Sequence, residues 1–298
     1  MSARWEWLAL LGRAARTQRG AVGLALAGSV VLLAIIGPFV APHSPTLSVT
    51  GTFVPPAPGY PLGGDTIGRD VLSRVLAGGW LLLAVAAGAT VLGVGAGVVV
   101  GISAAYLGRV SDGLLMRIVD VLLAFPPLVF ALLLLSVLGS HVWLILIAVA
   151  VSHAPQVARV VRATALEVCE RDFVRAAELL AMPKRRVMAG EVLPNLISVV
   201  MVELGLRFTY SILIIAGLSF LSFGIQPPAA NWGLMINENR IGLAANPWGV
   251  VAPIILIAIL TIGLNTFTDA IARTSLGVER PTEQFELAAA GIAAGATP

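Results

Sequence analysis

A single cysteine, Cys169, stands in a chain of 298 residues, which excludes an intramolecular disulfide and a thiolate metal cluster. Histidine is almost as scarce. His43, His141 and His153 lie far apart without the spacing of a ligand set, so they read as loop or packing residues, and no metal site is expected. Charge is short as well, with 12% of residues charged against 58% hydrophobic. Soluble domains carry about 25% charged residues, and a chain this long can bury a good core without losing so many. The shortage therefore points to a surface that meets lipid, and the mean hydropathy of +0.93 agrees. The pI near 9.6 suggests nucleic acid at first sight. Yet the net charge is only +3 and the basic residues sit between apolar runs, so no nucleic-acid partner is expected. No Gly-x-x-x-x-Gly-Lys-Ser/Thr segment occurs, so the chain holds no ATP in a phosphate loop. No Ser-His-Asp or Cys-His grouping has a supporting local motif. The chain is not expected to be an enzyme on its own.

Long apolar runs are what the sequence does contain. A helix needs about 20 mostly apolar residues to cross hydrocarbon. Six stretches qualify: Ala21–Ala41, Trp80–Tyr106, Ile118–Leu138, Val142–Val161, Leu196–Phe220 and Val250–Ile271. The expected fold is an all-α membrane protein with six transmembrane helices. Arg4, Arg13, Arg16 and Arg19 precede the first stretch as in a signal peptide. Its apolar run is too long for one, however, and Pro42 and His43 stand where a cleavage site would, so it reads as a retained span. Counted around these spans, fifteen Lys and Arg fall on the side of the N-terminus. Arg69, Arg74 and Arg240 fall on the other, and Arg207 lies inside a span. Basic residues concentrate in cytoplasmic segments, so both termini are expected in the cytoplasm. That divides the chain into tails 1–20 and 272–298, a membrane domain 21–271, a cytoplasmic loop 162–195, and outer loops 42–79 and 222–249.

Gly93, Gly97 and Gly101 recur every fourth residue in the second span, a stripe that lets another helix approach closely. Close packing is the first reading of it and a pore-lining seam the second. In loop 42–79 the first half reads as extended coil and the second as a short amphipathic helix, with Asp70 and Arg74 paired at i,i+4. Loop 222–249 has a polar, helix-like middle around Asn231, Asn237, Glu238 and Asn239. Glu203 and Arg207 stand four apart within the fifth span, the acid first, which is the favourable order for a helical ion pair. Ionisable groups at that depth face an interior cavity as a rule. They are candidates for a translocation path, with a self-neutralising interface pair as the alternative. Asp120 and Asp269 lie near span ends, as interfacial anchors do.

The segment from Glu167 to Asn195 is far more charged than its surroundings, so it lies outside the membrane. Phe173, Ala176, Ala177 and Leu180 recur at helical spacing as an apolar docking stripe, with Arg175 and Glu178 off it. Pro183 suits the first turn of a second short helix. Two short helices joined by a bend form a compact knob, suited to a groove in a partner protein.

These residues carry a resemblance. Arg175-Ala-Ala-Glu-Leu-Leu-Ala181, followed by Leu193-Pro194-Asn195, resembles the EAA coupling loop of ABC-importer permeases. Three further segments narrow it to the C-type permease subunit of dipeptide, oligopeptide and nickel importers. These are Pro61 to Arg74, Asp120 to Pro126, and Leu218 to Pro228 with Asn231-Trp-Gly233. Each motif is weak alone, but together they stand in order along nearly the whole chain. The resemblance implies a type I ABC-importer fold in the bacterial plasma membrane, surrounded by lipid. It implies a homologous second permease, two ABC ATPase subunits that hold ATP and Mg, and an extracytoplasmic substrate-binding protein. It assigns coupling to the 171–194 loop, with Arg171, Asp172, Phe173, Arg175, Ala176, Ala177, Glu178, Ala181, Pro183, Leu193 and Pro194. The cargo is expected to be a dipeptide or oligopeptide, with nickel or a metallophore as the alternative. At Ala181 the family usually has glycine, and the methyl is expected to be tolerated if φ stays negative. A proton-coupled secondary transporter would instead show an internal repeat and midplane carboxylates. A membrane scaffold would need no such charged loop.

Overall fold

In a computed structural model that describes residues 3–275, the apolar runs are helices. Hydrocarbon demands this, because a backbone amide there has no water to bond and must be satisfied within its own segment. The chain begins with α1 (Ala3–Arg16) and α2 (Gln18–Val40), the latter capped by the Thr17 hydroxyl, which accepts from Gly20 N–H at 3.0 Å. A folded loop leads to α3 (Val71–Ala77), which runs on into α4 (Trp80–Leu107). Then come α5 (Arg109–Leu123), α6 (Pro127–Leu138) and α7 (Val142–Cys169). Three short pieces follow: α8 (Asp172–Leu179), α9 (Lys184–Val187) and, after a π turn over Met188–Val192, α10 (Leu193–Asn195). The described residues close with α11 (Ile197–Phe220), α12 (Trp232–Asn239) and α13 (Trp248–Ser275). The tail expected over 272–298, with Arg280, lies from residue 276 onward outside the described residues.

Among the described residues, five helical segments are long and apolar enough to cross a membrane, and the pair α5–α6 makes a sixth. The span expected over Ile118–Leu138 is broken in its middle, because the two helices meet at 83°. Phe125 precedes two prolines. A proline lacks the N–H that a helix needs and disfavours helical geometry in the residue before it. Pro126 is accordingly extended, with φ −58° and ψ 133°, and Pro127 opens α6, where the missing N–H costs nothing.

The bundle is seamed by close backbone approaches. α4 and α7 run parallel, with Gly93 against Ala150, Gly97 against Ala154 and Val157, and Gly101 against Ala158. A Cβ at Gly97 would lie 2.7 Å from the Ala154 carbonyl oxygen, so the glycine stripe is a packing seam. The expected N-terminal tail contains helix α1, which buries Leu10 and Ala14 against Ala270 and Ile271 near the end of α13. At the opposite end of the bundle Trp232 is fully buried, and its Nε1–H donates to the Val75 carbonyl at 2.8 Å.

Loop 42–79 is not extended coil in its first half. Val49 and Thr50 N–H both donate to Gly68 O, Phe53 N–H to Asp65 O, and Gly64 N–H to Val54 O. Its proline and glycine turns fold the chain back on itself, which satisfies backbone groups that an extended strand would leave open.

Candidate functional site

The charged segment after α7 forms a helical hairpin seated on the ends of the long helices. α7 continues as one helix to Cys169, two turns beyond the expected span, so the hairpin begins at Arg171. Val174 and Ala177 share one face of α8 and are buried with Val98, Ile102, Val161, Ala165 and Val168 of α4 and α7. Val187, Val192 and Leu196 complete that small core. The apolar stripe expected from sequence therefore divides. Ala177 belongs to the inner face, whereas Phe173, Ala176 and Leu180 are exposed, and Leu179 joins them at 88% exposure. The reason is rotational: residues three apart share a helix face, and Val174 and Ala177 turn together toward the surfaces of α4 and α7. Arg171, Asp172, Arg175 and Glu178 surround the exposed side.

The bend between the two short helices is a Schellman turn. Ala181 N–H donates to Glu178 O and Met182 N–H to Ala177 O. Ala181 takes φ +54°, so the expectation of negative φ is corrected. A side chain in the left-handed region costs about 1–2 kcal/mol, which glycine avoids. Ala181→Gly is expected to raise permease stability by about 1 kcal/mol. The measurement is thermal unfolding in detergent, and an unchanged midpoint would show that the turn holds no strain. Pro183 caps α9 one position ahead of its expected place, and its carbonyl accepts from Arg186 N–H at 2.7 Å. The π turn that follows has its own cause. Pro194 has no N–H for the carbonyl four residues back, so the backbone widens, and Leu193 N–H reaches Met188 O instead. Asn195 Nδ2–H then donates to Glu191 O at 2.7 Å.

A second constellation lies within the bundle. Arg207 Nε–H donates to Glu203 Oε2 at 2.9 Å, as the i,i+4 spacing predicts, and Arg207 Nη1–H donates to Gln156 Oε1. The guanidinium sits 5.4 Å from the Tyr210 ring centroid. Arg207, Gln156, Tyr210, His153, Pro127 and Ile214 line a cavity of about 280 Å³. Glu203 is buried and is not part of that lining. Behind the cavity His153 Nε2–H donates to Ser211 Oγ, and Ser211 Oγ–H donates to Thr90 Oγ1. Thr90 Oγ1–H ends the relay on Ala86 O, an obligate acceptor, which sets the direction of the whole chain. Toward the hairpin, Arg159 pairs with Asp120 at 2.5 Å and Arg162 pairs with Asp112. The sequence reading missed Gln156, Tyr210 and His153. Their signal was weak: polar residues one turn apart in α7, and Tyr210 three residues after Arg207.

Residues 97–275 match the family model described as "Binding-protein-dependent transport system inner membrane component". A Brucella suis biovar 1 protein named as a peptide transport system permease is 36% identical over 251 residues, 84% of each chain. The dipeptide transport system permease protein of Alkalihalophilus pseudofirmus is 32% identical over 255 residues, 84% of this chain and 83% of the relative. The chain belongs to this family. It is an ABC-importer permease of the peptide-transporter group and a multi-pass inner-membrane protein. The matched region of the permease spans both the hairpin and the Arg207 cavity.

The end of the permease opposite the hairpin carries a buried ionic cluster. Asp65 Oδ1 accepts from Ile67 and Arg69 N–H, while Oδ2 accepts from Arg69 Nε at 2.6 Å and Arg74 Nη1 at 2.5 Å. Glu238, on α12, accepts from the same two arginines at 2.8 and 2.6 Å. The expected Asp70–Arg74 pair does not form. Asp70 instead caps α3, accepting from Leu72 and Ser73 N–H, and also faces His43. Burial pushes the Asp65 carboxyl upward, but its backbone hydrogen bonds and the two arginines outweigh that and hold it below its ordinary 3.8. Arg74 is fully buried with Nε and Nη2 unpartnered, so the cluster concentrates charge that only its own members compensate.

Proposed function

We propose that this permease forms half of the translocation path of an ATP-driven peptide importer and is coupled to ATPase subunits through the 171–194 hairpin. In this reading a homologous permease supplies the other half, one of two ABC ATPases docks at this hairpin, and a binding protein delivers cargo at the loop 42–79 end. The termini then lie in the cytoplasm. Peptide cargo is supported by the names of the relatives, which are peptide and dipeptide permeases.

The observation that carries the coupling is the tip of the hairpin. Leu179 and Leu180 are 88% and 78% exposed on a segment too charged to enter lipid, while Val174 and Ala177 fasten it to α4 and α7. Apolar residues held out in water by a rigid support form a docking knob. The path is supported by polarity. The Arg159–Asp120 pair is 59% and 61% exposed between two membrane helices, and such a pair does not face hydrocarbon. That face of α5 and α7 turns to water or to the second permease.

Cross-linking tests the docking. In a Cys169→Ser background, Leu180→Cys is expected to cross-link to an ATPase subunit of the assembled transporter, and Val174→Cys is not. Absence of the Leu180 product, or equal yield from both positions, would remove the assignment.

A further inference from the structure

The Arg207 cavity has a chemical bias that its charge count conceals. Glu203 balances Arg207 in sum, yet it does so from behind, through Nε, and stays out of the cavity. Arginine carries five N–H donors and no acceptor. One is spent on Glu203 and one on Gln156, and Nη2 has no partner among the described residues. Because arginine only donates, the Gln156 amide must turn its oxygen toward Arg207, which aims its own Nε2 donors away from the pair. The Tyr210 hydroxyl, on a half-exposed side chain that also lines the cavity, is likewise unengaged. His153 spends its Nε2–H on Ser211, and its Nδ1, the acceptor of that tautomer, is buried and presents no surface to a ligand.

A cationic edge, an amide donor and a phenol thus converge on about 280 Å³, the small end of the range for ligand pockets. A planar anion with two acceptor oxygens matches the terminal N–H edge of arginine. Resting on the path reading above, we propose that Arg207, Gln156 and Tyr210 form a carboxylate subsite on the translocation path, with Glu203 as the positioning residue that holds Arg207 in place. The carboxylate comes from the passing peptide, at its C-terminus or on a side chain. Glu203 moderates the attraction, because a path must release what it holds.

The test is uptake into proteoliposomes that contain the complete transporter with its binding protein. Two substrate pairs are compared: dialanine against its C-terminal amide, and alanylglutamate against alanylglutamine. The binding protein is the same throughout, so a change in either ratio between variant and parent belongs to the permease. Gln156→Met leaves the ion pair intact, and the double variant Glu203→Gln/Arg207→Met removes both charges together. The acid-over-amide ratio is expected to fall about tenfold in the double variant and less in Gln156→Met. A fall in the first pair alone assigns the subsite to the peptide terminus, and a fall in the second pair assigns it to side chains. Slower uptake of every substrate at unchanged ratios overturns the subsite while leaving Arg207 on the path. Unchanged rates and ratios overturn both.

Discussion

Leu180→Asp is expected to abolish transport while the permease remains folded in the membrane. Leu180 is 78% exposed and is not a buried member of the small core under the hairpin, so a carboxylate there is largely hydrated in the isolated subunit. If the proposed coupling holds, the same position enters an ATPase groove in the assembled importer, where an unpaired charge loses its hydration without compensation. Central apolar contacts of this kind are worth about 2 kcal/mol or more, and uptake should fall at least about thirtyfold. Ala177→Asp is the instructive contrast. Ala177 is 5% exposed and packed with Val174, Val187 and Val192, so its substitution unseats the hairpin from α4 and α7. That variant should show poor yield and protease sensitivity, whereas Leu180→Asp should purify normally. Uptake at the parental rate by Leu180→Asp would disprove docking through the tip.

Asp65→Ala is expected to destabilise the opposite end by about 3–5 kcal/mol, the usual cost of breaking a buried ion pair from one side. The substitution leaves Arg69 and Arg74, 3% and 0% exposed, sharing Glu238 alone, and it frees the N–H groups of Ile67 and Arg69. Thermal unfolding of the purified permease measures it, and a loss under about 1 kcal/mol would mean the cluster is not a support. The pH dependence has a definite sign. A carboxyl whose pKa lies below 3.8 when folded contributes stability that is complete above 3.8 and is lost as pH falls through the lowered value. Parental permease should therefore lose this contribution only in strong acid, and Asp65→Ala should lack that part of the acid transition.

The two sites differ in how much of each could be seen without coordinates. The hairpin was legible as a unit because charge takes it out of lipid and the spacing of its apolar residues makes helices. Which side of α8 faced inward was not legible, since Val174 and Phe173 are equally apolar and only the surfaces of α4 and α7 choose between them. The Glu203–Arg207 pair was legible because both members lie on one helix four residues apart. The cavity was not, because Gln156 and His153 come from α7 and meet Arg207 only through the way α7 and α11 pack. Arg74 shows the same limit. Local spacing offered it Asp70, but Asp70 is held by the N-terminus of α3, and Arg74 finds Asp65 and, 164 residues away, Glu238.

By itself the sequence determined that this chain lives in a bilayer, roughly where it crosses, and that one charged segment stands outside. Those properties are sums over neighbouring residues, since transfer of an apolar run into hydrocarbon depends on composition and length alone. Tertiary structure decided the 83° bend of α5 against α6, the inward face of α8, the left-handed Ala181, and the ion pairs that join distant segments, such as Arg74–Glu238 and Arg162–Asp112. Each of those depends on which surfaces meet. In a chain so poor in charge, Arg74, Arg159 and Arg162 find Glu238, Asp120 and Asp112 only where distant segments bring an opposite charge within hydrogen-bond reach, a relation that no local window contains.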